Sequence, residues 1–352
     1  MVQSSTKGET YMTKFEFNLP MEELEMRTDK DHLMTKKMLK CDAPEYLALA
    51  DGDKETLKHL VKSAYILEKI NMQIDCHHNL EFKAFLEEEI KKGNKQAELT
   101  KILFDAQKGI NAIDTMSNKI NLAKGITEKL GKGVYPEDLS KEEFHQILTK
   151  MVNEGKIEEV KKILTQRSVV ERSGDELVGI DYIDKFKEDF AKMADEIDKA
   201  AETSTNADFT EYLKLQAKAL RTADPMLDAY ADKKWATLQD TPLEFTITRE
   251  NYEDEMTGTI VENEELSTLL KEHNINPIPK DFLGGRVGIV NKKGTEALMA
   301  IKKYLPTLAD NMPYRDEYTQ TISAEGDAKQ TMVDVDMVMA SGDVGEYRGG
   351  IT

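Results

Sequence analysis

The sequence predicts an α+β fold, predominantly helical, with a small β-barrel or sheet formed largely by strands in the C-terminal third. Three observations carry this. From Ala43 to about residue 236, apolar residues recur at three-four spacing, the period of a helix with one buried face. After Pro242 the period falls to two, with Leu243, Phe245 and Ile247 alternating with Glu244, Thr246 and Thr248. Two further stretches read as strands: Val287, Ile289 and Val290 between glycines and an Asn-Lys-Lys-Gly turn, and Met332 to Met339, where Val333, Val335, Met337 and Met339 alternate with Asp334, Asp336 and Val338. The chain then divides into a partly ordered arm over 1–40, a helical region over 41–236 and a β-containing region over 237–352, with a helix at about 295–310.

Taken in order, residues 1–40 are polar and Met-rich, without a clear period. Asp53 or Thr56 can cap a helix whose apolar face runs Leu57, Leu60, Val61, Ala64 and Leu67. Phe82, Phe85, Leu86 and Ile90 mark the next helix, and Leu99, Ile102, Leu103 and Ala106 another, with Gly93-Asn94 between them. Gly125, Gly131 and Gly133 read as a connection. Ser140-Lys-Glu-Glu143 is a capping box ahead of Phe144, Ile147, Leu148 and Met151, and Val160, Ile163 and Leu164 continue after a break at Asn153-Glu-Gly155. Between Ser168 and Ile183, β-branched runs flank Ser-Gly-Asp, the pattern of a short hairpin. Ile183, Phe186, Phe190, Met193 and Ile197 define the most regular helix, followed by Phe209, Tyr212, Leu213, Ala217 and Leu220 in a helix that ends at Asp224-Pro225.

Size and charge narrow the function. The 352 residues allow a real core without staples. Cys41 and Cys76 lie far apart with no CxxC or Cys/His spacing, as expected of reduced thiols in a cytoplasmic protein. The 48 basic and 66 acidic side chains give a net charge of −18, which disfavours nucleic acid as a partner. No stretch has the length and apolarity of a signal peptide or membrane span. Oligomeric state is left open.

The candidate sites are sparse. His77-His78, beside Asp75 and Cys76, is the one cluster of potential metal ligands, but neighbours on a helix point about 100° apart and no HExxH or CxxC companion exists. The expectation is no metal in this chain and an ordinary polar helix end. Gly342, Gly345, Gly349 and Gly350 follow a strand with neither dinucleotide nor Walker spacing. Glu87-Glu88-Glu89 with Lys91-Lys92 reads as a solvated face with i,i+4 pairs. Tyr252 sits among Glu250, Glu253, Asp254 and Glu255, where its ring either packs at a strand end or orients a ligand.

Glu250-Asn-Tyr-Glu-Asp-Glu-Met-Thr-Gly258 after an apolar strand resembles the E-x-Y-x-D-x-x-x-G segment of the dipeptidyl peptidase III family of zinc exopeptidases. Tyr135-Pro-Glu-Asp-Leu-Ser-Lys-Glu-Glu-Phe144, Ser168 to Leu177, Tyr212 to Leu220, Trp235 ahead of Pro242, and Val333 to Asp343 resemble further segments in the same order. The likeness covers roughly residues 130–352. It implies a two-lobed peptidase that cleaves dipeptides from peptide N-termini, with a helical lobe carrying zinc and a lower lobe of helices around a small barrel. It further implies that peptide adds to a barrel strand, that Tyr252 contacts substrate, and that Gly349, Gly350 and Ile351 form the edge that receives it.

The family's HExxGH motif and its later EExxA/KD are absent here, so no catalytic residue is assigned, and zinc is expected only in a portion beyond Thr352. The leading expectation is the substrate-binding lobe of such a zinc exopeptidase, not catalytically competent as the chain stands. The alternative is a non-catalytic peptide-binding or scaffold protein derived from the family. A third, an unrelated helical interaction protein, is excluded if the three predicted strands share one sheet.

Overall fold

The computed structural model describes residues 15–29, 39–113, 119–222, 225–251, 254–313, 317 and 332–342. The N-terminal helices are α1 (Met21–Thr28), α2 (Pro44–Leu47), α3 (Asp51–Asp75), α4 (Asn79–Lys91) and α5 (Lys95–Gln107), followed by the short pair β1 (Asn111–Ile113) and β2 (Lys119–Asn121). Then come α6 (Lys141–Asn153), α7 (Ile157–Ile163), the hairpin β3 (Ser168–Ser173) and β4 (Glu176–Asp181), α8 (Tyr182–Lys185), α9 (Lys187–Thr203), α10 (Ala207–Thr222) and α11 (Pro225–Trp235). The last third holds β5 (Leu243–Glu250), α12 (Glu255–Gly258), α13 (Glu264–Glu272), β6 (Phe282–Val290), α14 (Lys292–Lys302), α15 (Leu305–Asp310) and β7 (Val335–Ser341).

The axis of the molecule is α3. Leu57, Leu60, Ala64 and Leu67 lie on one stripe and are buried against α9, where Phe190, Met193, Ala194 and Ile197 present the matching stripe. Each fully buried leucine or phenylalanine contributes about 1.5–3 kcal/mol from removal of apolar surface from water. Neither Asp53 nor Thr56 caps α3, which starts two residues earlier at Asp51 behind Ala50. The Asp53 carboxylate instead accepts from the Thr205 amide (3.0 Å) and hydroxyl (2.6 Å), and Thr56 donates to Ala200 O (3.1 Å). These side chains sit on the face that meets the end of α9, so the tertiary contact takes the groups that a local cap would use. Ser140 does cap α6, accepting from the Glu143 amide at 3.1 Å, but the Glu143 carboxylate turns away to a two-bond pair with Arg172. On α4 the charges pair at i,i+3: Lys91 with Glu88 and Lys92 with Glu89, both at 2.7 Å.

A second core, formed around Phe15, Leu24, Phe82, Leu86 and Phe104, ties the stretch from Phe15 to Thr28 to α4 and α5. Phe15 and Phe82 meet edge to face at 5.2 Å.

The three predicted strands share one antiparallel sheet in the order β5-β6-β7, an arrangement that an unrelated helical protein would not produce. The fold is therefore α+β, and among the described residues the sheet is open and not a closed barrel. Phe245 pairs Val287, and Val287 pairs Met339, so one face of all three strands meets α3. The regular alternation expected over Val333–Met339 does not hold. The strand begins at Val335, and the register shifts so that Met339 pairs Val287 while Met337 pairs Gly288. Val338 is the extra residue of this bulge, and the odd-numbered methionines end on different sides: Met339 is 9% exposed and Met337 46%.

Candidate functional site at the end of the three-stranded sheet

Tyr252, Gly349, Gly350 and Ile351 lie outside the described residues. Their flanks are described. Glu250, the last residue of β5, pairs Phe282, the first of β6, and Ser341, the last of β7, pairs Gly285. The chain thus leaves β5 toward Tyr252 and leaves β7 toward Gly349 at the same end of the sheet. Gly342, with φ +88°, makes the turn there, and a Cβ on it would lie 2.5 Å from the Gly284 Cα, so only glycine fits.

Two residues past Tyr252, Asp254 is 4% exposed and fastens this end. Its Oδ2 accepts from the Thr257 hydroxyl (2.6 Å), the Tyr135 hydroxyl (3.2 Å) and the Lys280 amide (2.8 Å), while Oδ1 accepts from the Thr257 amide (3.0 Å) and caps α12. Lys280 is fully buried, and its ammonium donates to Ile163 O (2.5 Å), Thr165 O (2.8 Å) and Ser168 Oγ (2.7 Å). Burial pushes its pKa down to about 7, against the pull of Asp254 and Asp281. The Ser168 hydroxyl proton is committed to Lys162 O at 2.7 Å, so all three partners of Lys280 accept, which requires the ammonium form. Ser168 and Lys280 have the spacing of a serine–lysine nucleophile pair, but both are buried and fully bonded. They brace α7 and β3 against the strand entry and have no free nucleophile. Burial and the nearby Asp254 carboxylate raise the Tyr135 hydroxyl well above its usual range, so it stays a donor.

A second charged cluster lies under the end of β5. Asp228 accepts from Arg249 Nη2 at 2.7 Å and from Arg167 Nη1, and Arg167 Nε reaches Asp281 at 3.3 Å. Burial raises the Asp281 carboxyl, offset by Arg167. Arg167, Asp228 and Arg249 rim a cavity of about 40 Å³ with an apolar floor that includes Leu67, Ile247 and Leu283.

The two edges of the sheet differ. On β5, the Tyr212 hydroxyl of α10 donates to Phe245 O at 2.8 Å, and Trp235 Nε1 donates to Glu244 at 2.7 Å, so α10 and α11 attend that strand. On β7, no further strand pairs among the described residues. The buried Ser341 hydroxyl at its end has no hydrogen-bond partner.

Among the described residues, no group of three or more His, Cys, Asp or Glu side chains comes together to hold a metal ion. His77 Nε2 instead meets Tyr135 O at 2.7 Å and His78 Nε2 meets the Glu137 carboxylate at 3.0 Å. The described residues therefore bring together no ligand set of the kind a zinc centre uses. Burial raises the Cys76 thiol to about 11, far from a reactive thiolate. Sequence reasoning named Asp254 only as part of the segment around Tyr252, with no role of its own, and passed over Lys280, Arg167 and Asp228, because single charges in an acidic chain carry no pattern. The one available signal was Ile278-Pro-Lys-Asp281, a charged pair set directly against the apolar start of a strand, Phe282-Leu283.

An α+β lobe with a small antiparallel sheet set against a long helix is the class of structure that this geometry defines. Among solved structures it is similar to dipeptidyl peptidase III from Caldithrix abyssi, with a TM-score of 0.64 and 22% identity over 88% of this chain and 52% of that one. It is likewise similar to dipeptidyl-peptidase III from Corallococcus sp. strain EGB, with a TM-score of 0.60 and 15% identity over 88% of this chain and 51% of that one. The fold is dipeptidyl peptidase III-like, and the chain spans about half the length of the structures it matches. No protein-family model and no curated protein sequence matches the chain. No helix among the described residues is long and apolar enough to cross a membrane.

Proposed function

We propose that this chain is the peptide-holding lobe of a zinc exopeptidase of the dipeptidyl peptidase III type, and that it takes an extended peptide as an added strand along the free edge of β7. The observation that carries the reading is the asymmetry of the sheet: β5 is attended by Tyr212 and Trp235, whereas no strand pairs with the outer side of β7 among the described residues. Addition there supplies backbone hydrogen bonds without demanding a particular peptide sequence. The likeness in fold to two dipeptidyl peptidase III structures supports the same reading.

Hydrolysis is not assigned to these residues. HExxGH is absent from the sequence, and no step is derived through zinc. Tyr252 is proposed as a substrate contact at the end of β5, with Gly349, Gly350 and Ile351 continuing the receiving edge. A cytoplasmic setting belongs to the proposal and accords with the free thiols Cys41 and Cys76.

Calorimetric titration with a short synthetic peptide, and with the same peptide N-methylated at alternate residues in each register, tests this. One methylated series is expected to lose binding, because it lacks the amides that donate to β7, and Tyr252→Phe is expected to weaken the unmodified peptide. Equal binding of both methylated series and the parent would defeat the edge-strand reading. Tight binding with no cleavage after added zinc would favour a binding or scaffold role.

A further inference from the structure

We propose that α14 and α15 dock, head to tail, into the acidic groove beside α13 of a second copy of this chain. The two helices have a side that the described residues leave uncovered: in α14 only Thr295 is buried, and in α15 no residue is. Ile301, Tyr304, Leu305 and Leu308 are 55%, 64%, 41% and 54% exposed. One exposed apolar side chain needs no explanation, but four within one turn-linked helix pair make a surface that helices ordinarily bury. Lys292, Lys293 and Lys303 stand on the same unit without a carboxylate partner among the described residues, while Glu296 and Asp310 offset part of their charge.

The complementary surface lies on α13 and the end of α6. A groove of about 470 Å³ is lined by Asn153, Glu264, Glu265, Thr268, Leu269 and Glu272. The three glutamates have no cation partner among the described residues, Leu269 is half-buried between them, and Val261, just ahead of α13, is 82% exposed. An apolar ridge with cationic flanks thus has a match in a groove with anionic walls and Leu269 between them.

Charge selects the occupant. The match is local: the three lysines of the ridge face the three glutamates that another copy offers at the groove itself, and this pairing has to outweigh the repulsion between two chains of net −18. Because ridge and groove are different patches, each docked copy leaves one of each open, and assembly proceeds to a ring or an open chain.

Sedimentation velocity of the intact chain tests this. The sedimentation coefficient is expected to rise with protein concentration at 0.1 M salt and to fall at 1 M, where the screening length drops from about 10 Å to about 3 Å. The triple variant Lys292→Glu, Lys293→Glu, Lys303→Glu and the triple variant Glu264→Lys, Glu265→Lys, Glu272→Lys should each sediment as monomers. An equimolar mixture of the two should associate again, because reversed ridge meets reversed groove and native ridge meets native groove. All six positions are on helix surfaces, and far-UV circular dichroism checks that both variants fold. A monomeric wild type, reversals without effect, or a mixture that stays monomeric would overturn the proposal. So would loss of anionic-vesicle binding in the lysine variant alone, which would assign the ridge to lipid.

Discussion

Asp254→Asn is expected to destabilise the protein by about 3 kcal/mol, although it changes a single atom. The aspartate accepts three bonds on Oδ2 and one, from the Thr257 amide, on Oδ1. Asparagine keeps one oxygen, which stays with the three donors, and its NH₂ then faces the Thr257 amide, donor against donor. The lost charge-assisted bond costs about 1.5–3 kcal/mol and the stranded amide about 1–3 kcal/mol more. Easier burial of a neutral side chain returns part of this, leaving about 3 kcal/mol. For 352 residues, with an unfolding entropy of about 2.1 cal/mol/K per residue, that lowers the melting temperature by about 4 °C. Thermal and urea unfolding by circular dichroism, with exposed Glu87→Gln as a control, measures it. If Asp254→Asn unfolds within about 0.5 kcal/mol of wild type, the ordinary scatter of surface substitutions, the network does not fasten this end of the sheet.

Glu244 gives a pH dependence. Burial raises its carboxyl from 4.5 to about 7, against the pull of Trp235, so between these values the native state holds a proton that the unfolded chain has released. Stability should therefore fall as pH rises from about 4.5 to 7, and Glu244→Gln should flatten that segment of the urea-unfolding profile. Tyr212→Phe strands Phe245 O on β5, and equilibrium unfolding should show a loss of about 1–2 kcal/mol. A loss below about 0.3 kcal/mol would mean that water replaces the hydroxyl and that the β5 edge is less shielded than the structure implies.

The helices and the three strands were legible because burial imposes a period: Leu57 to Leu67 on α3 and Leu243 to Ile247 on β5 appear in the sequence as they appear in space. The hairpin around Gly174 was legible from its turn residues, since that glycine has φ +63°. What pattern does not encode is partnership across the chain. Asp53 has the local look of a cap and serves Thr205, 152 residues away. Lys280 reads as a surface lysine in a loop, and only the convergence of Ile163, Thr165 and Ser168 on its ammonium makes burial tolerable. The end of β7 was misread because one extra residue cannot be seen in an alternation; it shows only against the register of β6.

The bulge at Val338 also sets a ruler. On either side of it β7 offers a run of about three residues with regular spacing, Val335 to Met337 and Met339 to Ser341, each about 10 Å long at the rise of an antiparallel strand. A strand laid straight along this edge stays in step with one run and falls out of step with the other. Whatever pairs there is therefore measured over a few residues only, and a long, flat partner strand, the kind that drives aggregation, finds no continuous template.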